Sequence, residues 1–465
     1  MIGYSPFEKP LKQLETANLV MLTQAAEGWY IEYKRDIPNA SSIAKSVSAF
    51  ANTYGGWLFY GVQEKSKEEP VAGAFPGIAS TEVEPSIQRM RQAIAAHLAP
   101  APHFETNVFR GPCDLIGLPD GRAIICAQVP WSPATPHVHK TGVIYRRVGD
   151  SSEPRMENDR FILDQLWRRG DDLRKQYTKW LEKDPELSKA ERERPYARLL
   201  LVTDLWQDRN LWLDLSIQEV REIMGETRGV VTSVPFDTVY TSANGFIGRQ
   251  CRNNDPQELG MTWRLWPDLA SEIIIPLNLH DLRDVQAVDL VLDGYEGVAD
   301  FSSALRKHGH RTPRILDLNL LFNILVGIVE IQTRFLRHAG WSDAYFAKTR
   351  LLNVWRTCPF VDVKAILKGF DAHGIPMCLD GTITSPAGTE PDTFTKVPLF
   401  QDVTEETARI FLQALWLFAP IARAFGLPVW VDISSENEDP PYFLELQRAG
   451  QRAIKVQQTR NQRLA

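Results

Sequence analysis

Three carboxylates and four cations in the first third of the chain are the residues best placed to do chemistry. Glu27 precedes a β-rich run, Trp29–Arg35, and Glu32 lies within it, while Glu64 follows the apolar run Trp57–Val62. If the strands that carry them lie side by side, the three meet at one edge of a sheet. Two carboxylates about 4 Å apart repel by roughly 4 kcal/mol at an effective dielectric of 20, so such a cluster implies a bound cation or a raised pKa. Mg²⁺ or Mn²⁺ held there would activate water and neutralise a phosphodiester transition state. Two acids five residues apart also arise by chance, and solvated strand residues are the plain alternative.

Lys34 and Arg35 beside the first strand, and Arg146 and Arg147 further on, are candidate phosphate contacts. Neighbours on a strand point to opposite faces, so at most one of each pair can line a given groove. Trp29, Tyr30, Trp57, Tyr60 and Tyr145 can stack on unpaired bases, although core packing accounts equally well for most of them. His137 and His139 alternate on one strand, with no Cys or carboxylate nearby in sequence to complete a metal site.

The elements that must hold these residues are legible from period and punctuation. Leu11, Leu14, Leu19 and Leu22 suggest an opening helix. After the strand Trp29–Arg35, Ser41 or Ser42 can cap a helix whose buried face is Ile43, Val47, Phe50 and Ala51. Gly55-Gly56 ends that helix, since glycine accepts positive φ freely. A buried strand, Trp57–Val62, follows, then a charged loop and a second helix near residues 82–98. Strands are expected near 103–110, 123–129 and 143–148. The fold expected is α+β, with a mixed α/β N-terminal domain.

Two blocks in this region resemble the Schlafen-type domain, whose prokaryotic members are also called AlbA-like or divergent AAA-type proteins. The first is Glu27-x4-Glu32-Tyr-Lys34-Arg35 with Ala49-Phe-Ala-Asn52-x-x-Gly55-Gly56-x-Leu-x-x-Gly61-Val62. The second runs from Pro136 to Ser152 and contains Tyr145-Arg146-Arg147-Val148-Gly149, matching an aromatic-x-Arg-x-Gly-x-Ser-Ser closing hairpin. The resemblance covers about residues 10–170. It implies nucleic-acid binding, of RNA foremost, in a regulatory or defence setting, and in the nuclease members the sites matching Glu27 and Glu32 are catalytic acids. Their partner is an Asp just after the glycine-containing strand, where this chain has Gln63 and then Glu64. The resemblance therefore offers Glu27, Glu32 and Glu64 as catalytic and metal-binding residues of a metal-dependent endoribonuclease. Gln63 leaves a non-catalytic DNA- or RNA-binding module as the alternative. The family has also been described as ATP-binding, yet no G-x-x-x-x-G-K-[ST] loop is present.

The bulk numbers set limits. At 465 residues two or three domains are expected. The net charge of −6 announces no basic surface overall. Residues 1–170 carry 18 bases and 18 acids, leaving 34 of the 52 bases and 40 of the 58 acids to the remainder. Any nucleic-acid surface must be a local patch, more plausibly on the first part. Five scattered cysteines without a CxxC pair fit a reducing cytosol and a cytoplasmic protein. Neither Leu318–Ile331 nor Phe411–Val431 is uninterrupted enough to span a membrane. The organisation expected is a domain over 1–155, a charged helical linker over 156–195, and a separate α/β or α+β domain over 196–465 that supports a homo-oligomer or protein partner. In that last part, strands are expected at Ala197–Val202, Glu272–Ile275, Val288–Leu292 and Val429–Ile433. Helices are expected at Asp317–Arg337 and Thr404–Phe425, with Asp402 and Glu405 as a capping box.

Overall fold

In a computed structural model that describes residues 4–7, 9, 11–149, 153–205, 215–225, 236–252, 254–341, 344–428 and 442–464, the run around Glu32 folds into strand, helix and strand. Ile31–Lys34 forms β1, Ala40–Asn52 forms α1 and Gly56–Tyr60 forms β2, which pairs in parallel with β1. The side chain that caps α1 belongs to Asn39, not to Ser41 or Ser42, because its Oδ1 accepts from the Ser42 N–H. The opening segment is two 3₁₀ stretches, Leu11–Gln13 and Thr16–Gln24, rather than an α-helix. Its leucines are nevertheless buried as their spacing suggests.

The remaining elements of this half are short. They are β3 (Gln63–Glu64), β4 (Ala72–Ala74), β5 (Ile78–Ala79), α2 (Val83–His97), β6 (Leu98–Ala99), β7 (Glu105–Arg110), β8 (Arg122–Val129), β9 (Val138–His139), β10 (Tyr145–Arg146) and β11 (Arg155–Met156). The eight-residue β8 is the spine of the main sheet. It pairs antiparallel with β2 and β5 along one edge and with β7 along the other, and β1 lies outside β2.

Strand alternation sorts the side chains between two layers. Ile31, Tyr33, Trp57, Phe59, Ile124 and Cys126 face the opening 3₁₀ segments. Leu58, Tyr60, Ile125 and Ala127 face α1 and α2, against Ile43, Val47 and Phe50. Glu32, lying between Ile31 and Tyr33, is thereby turned into the helix layer. Gly55 (φ 76°) and Gly56 allow the chain to turn there: a Cβ on Gly55 would sit 2.7 Å from the Trp131 nitrogen, and one on Gly56 would overlap the Phe50 ring.

The chain divides into two compact units, Met1–Gln176 and Tyr177–Ala465, with the division inside the helix Arg160–Glu182 (α3). The first part of α3 belongs to the first unit for a physical reason. The Thr135 hydroxyl donates to the Leu166 carbonyl at 2.7 Å, and Arg169 donates to the carbonyls of Ala51, Asn52 and Ser132.

The second unit is built on an antiparallel sheet in the order β13-β14-β15-β16-β12-β19-β21, with β22 also on β19. Its strands are β12 (Tyr196–Val202), β13 (Thr238–Ser242), β14 (Gly245–Arg249), β15 (Thr262–Leu265), β16 (Ser271–Pro276), β19 (Tyr345–Leu352), β21 (Thr382–Ser385) and β22 (Thr395–Val397). A smaller sheet joins β17 (Asn278–Asp281), β18 (Arg314–Asp317) and β20 (Thr357–Phe360). Seven helices are described: α4 (Ile217–Gly225), α5 (Val288–Val291), α6 (Val298–Lys307), α7 (Leu321–His338), α8 (Lys364–His373), α9 (Glu406–Ala424) and α10 (Tyr442–Leu464).

Three sequence expectations differ here. Val288–Leu292 is helical, because Val288 and Leu292 are buried one turn apart while Leu290 is exposed. α7 starts four residues later than expected, since Asp317 ends a strand. No side-chain bond caps α9, so the Asp402/Glu405 box is not formed. The expected strand Val429–Ile433 lies outside the described residues.

Candidate functional site

Glu32 lies at the centre of the polar residues on the helix side of β1. It is 1% exposed, and each of its oxygens is engaged. Oε2 accepts from Arg147 Nη1 at 2.9 Å, and Oε1 accepts from the Ser46 hydroxyl at 2.8 Å. The Lys34 ammonium, on the same strand face two residues on, stands 3.1 Å from Oε1 at the solvent edge of the group. Ser46 reaches Glu32 because α1 is laid over β1 by the short β1–α1–β2 crossover.

Arg147 is wholly buried. Beyond Glu32, its guanidinium donates to the carbonyls of Gly28 and Ile31, and it lies 4.7 Å from the centre of the Phe50 ring. Its backbone N–H donates to the Thr53 hydroxyl at 2.9 Å. Burial pushes its pKa below the ordinary value, and the adjacent carboxylates of Glu32 and Glu27 oppose that shift. The expected role of Arg147 as a phosphate contact is therefore corrected. A desolvated guanidinium needs a desolvated counter-charge, and Glu32 supplies it.

Glu27 is 8% exposed, and its carboxylate accepts from the Tyr33 N–H. Burial raises its pKa to about 7; the Tyr33 bond and Lys34 pull it down, and the charges of Glu32 and Glu64 add to the rise. Glu64 is half-buried on β3, which pairs with β4, and Gln63 beside it is exposed. The three acids thus share a neighbourhood electrostatically. Among the described residues, however, no group of three or more His, Cys, Asp or Glu side chains is arranged to hold a metal ion. In this arrangement Arg147, Ser46 and Lys34 occupy both oxygens of Glu32.

The other candidate cations divide. Arg35 is exposed. Arg146 donates to Glu157 at 2.7 Å and is largely covered. Asn52 secures the hairpin beside them: its Oδ1 accepts from the His137 N–H, and its Nδ2 donates to the carbonyls of His137 and Tyr145. Both histidines are buried and internally bonded, His137 to the Pro100 carbonyl and Ser132, His139 to Ser41 and Thr141. Burial lowers both of their pKa values. Trp57 and Tyr60 are core residues, whereas Trp29, Tyr30 and Tyr145 are only half-buried.

The family model described as Schlafen, AlbA_2 matches residues 27–157, from Glu27 through the Arg146 partner Glu157. These residues form a Schlafen/AlbA_2 domain. The match covers a segment of the chain and supports a nucleic-acid-related role for it. Among curated proteins, no match is found. Among solved structures, the DIP2311 protein from Corynebacterium diphtheriae is similar at 18% identity. That similarity covers 34% of this chain and 31% of that one with a TM-score of 0.21, too slight to argue from.

Within the Schlafen/AlbA_2 domain, both sequence blocks have acquired a structural meaning. The Arg of the second block is Arg147, the internal counter-ion of the Glu32 of the first. The Asn52 and Gly55-Gly56 of the first block fix the hairpin and the turn, which gives the glycines a packing role. Sequence reasoning passed over Ser46 and Arg169. The helical period alone could have located Ser46, since it lies one residue before Val47 on the face that α1 turns toward β1.

Proposed function

We propose that the Schlafen/AlbA_2 domain binds nucleic acid, RNA in particular, in the cytoplasm, and that its Glu32–Arg147 pair maintains the binding surface rather than cutting the strand. The observation that carries this reading is the commitment of both Glu32 oxygens to Arg147, Ser46 and Lys34. Outside that buried pair Arg35 is exposed, and Lys34 stands half-buried at the solvent edge of Glu32, cations suited to phosphate contacts. Five unpaired cysteines support the compartment. Binding of a labelled RNA should weaken steeply with salt, and Lys34→Ala with Arg35→Ala should weaken it further and flatten the salt dependence. Salt-independent binding, or none, would reject the reading.

A second reading, metal-dependent cleavage of structured RNA, is favoured by one observation. Glu27, with its pKa near 7 and Glu32 and Glu64 within electrostatic reach, has the proton affinity of a general acid or base at neutral pH. Incubating tRNA with the full chain in Mn²⁺, Mg²⁺ or EDTA separates the two. Cleavage that needs the metal and disappears in Glu27→Gln would establish the nuclease. Intact tRNA that is nonetheless bound favours the binding module.

A further inference from the structure

The second unit holds an open cleft of about 280 Å³, bounded by the starts of α6 and α8 and by one face of α10. Its place follows from the small sheet. β18 and β20 run parallel and lead into α7 and α8, and the cleft lies just past the end of β20. Crevices outside the carboxyl ends of parallel strands are where α/β sheets receive ligands. Asp362, two residues beyond β20 and 3% exposed, forms the floor. Its carboxylate holds the turn that enters α6, accepting from the N–H groups of Gly297 at 2.7 Å and Glu296 at 3.2 Å. A Cβ on Gly297 would stand 2.7 Å from Asp362 Oδ1 and overlap Leu367, so this close approach excludes any larger residue. From behind, Asn319 ties the Asp362 N–H to the Asp317 carboxylate. Arg452 is committed to the same floor: its Nε and Nη2 donate to Asp362, and its Nη1 stands 3.5 Å from Glu296.

Two cations of the lining are not committed. Lys364, at the start of α8, and Arg448, one turn before Arg452 on α10, are both exposed. Among the described residues, neither has a carboxylate within ion-pair distance. No side chain caps α8, so its first-turn N–H groups add donors beside Lys364. Asp300, in the first turn of α6, brings to the same cleft a carboxylate that is also without an ion pair among the described residues, and Glu445 completes the acids of the lining. We infer that this cleft binds a small sugar phosphate, free or as the sugar-phosphate part of a nucleotide, with the phosphate on Lys364 and Arg448 and sugar hydroxyls on Asp300. Size and lining carry the inference together. A bare phosphate would fill only part of the cleft, and a neutral sugar would give the two cations nothing to neutralise. A polyhydroxylated phosphate answers both ends, through charge-assisted hydrogen bonds from the cations to its phosphate and from its hydroxyls to the carboxylate. The inference stands apart from the nucleic-acid reading of the first unit.

The test is isothermal titration calorimetry on the full chain at low ionic strength, with ribose 5-phosphate, AMP, ribose, adenosine and inorganic phosphate. At least one of ribose 5-phosphate and AMP should bind, about 10-fold or more tighter than its unphosphorylated counterpart, the effect of one charge-assisted contact. The tighter of the two tells a free sugar phosphate from a nucleotide. Lys364→Ala with Arg448→Ala should remove the preference for the phosphorylated compound without lowering Tm, both side chains being exposed. Lys364→Gln and Arg448→Gln, made singly, guard against a folding defect and should each weaken binding. Asp300→Ala should weaken the sugar phosphate but not inorganic phosphate. Lys396→Ala, which removes an exposed cation outside the cleft, should bind like wild type. No binding of either sugar phosphate would overturn the inference, as would equal binding of the unphosphorylated compounds or wild-type affinity in the double variant. Inorganic phosphate binding as tightly as the sugar phosphates would overturn it too.

Discussion

Glu27 and Glu32 illustrate how burial assigns different roles to the same side chain. Glu32 has a buried cation and remains its counter-charge, whereas Glu27 has only a backbone N–H and lies where desolvation dominates, with a pKa near 7. Because the folded pKa of Glu27 exceeds its unfolded value near 4.5, the native state holds the extra proton between those two values. Stability attributable to Glu27 is present at low pH and declines as pH rises from about 4.5 to 7. Glu27→Gln can still accept from Tyr33 and should not show that decline. Chemical denaturation of both proteins at pH 5 and pH 7.5 should show the variant gaining up to ~3 kcal/mol relative to wild type across the interval. A constant difference would mean that Glu27 titrates normally. Glu32→Ala leaves a buried guanidinium without its partner and should cost about 3–5 kcal/mol, measured by denaturant unfolding. Adding Arg147→Met should recover much of that loss. Any activity missing from Glu32→Ala is therefore interpretable only alongside a melting curve.

At the scale of elements, α1 organises the domain. It covers β1 and β2, supplies Ser46 to Glu32, and ends at Asn52, which ties down the hairpin carrying Tyr145. Asn52→Ala should leave the main sheet intact but speed amide exchange over residues 137–147, and unchanged exchange there would remove Asn52 from this role. Gly56→Ala should cost at least about 1–3 kcal/mol from overpacking on Phe50, detectable as a lowered Tm. Much of this layer was legible in sequence. Ile43, Val47, Phe50 and Ala51 occur at helical spacing and all are buried, and the apolar run Trp57–Tyr60 is the buried strand it was expected to be. The choice of Asn39 over Ser41 as the cap was not legible, because any of these residues can accept from the first turn. Nor was the pairing of Glu32 with Arg147, since side-chain period places Glu32 on a face without saying which distant residue meets it there.

For the whole molecule, the first unit extends into α3 because Leu166 and Arg169 bond to the residues around Thr135 and Asn52. A fragment of residues 1–182 should fold cooperatively and keep nucleic-acid binding, whereas 1–155 should melt at lower temperature, having lost those bonds; equal melting points would place the end of the unit earlier. The sequence signal for this boundary was weak, since charged helical composition looks alike in a linker and in a half-docked helix. The second unit offered still less, because its sheet is assembled from strands scattered between residues 196 and 397, and no local pattern announces such pairings. The pair Glu32–Arg147 closes 115 residues of chain. At about 5–20 residues per second, a ribosome releases the acid on the order of ten seconds before its base. For that interval the nascent β1 carries a charge that its finished surroundings would exclude without a partner, so the strand has reason to remain in water until the hairpin appears. During synthesis the Glu32–Arg147 contact can therefore form only after most of the sheet that surrounds it has been made.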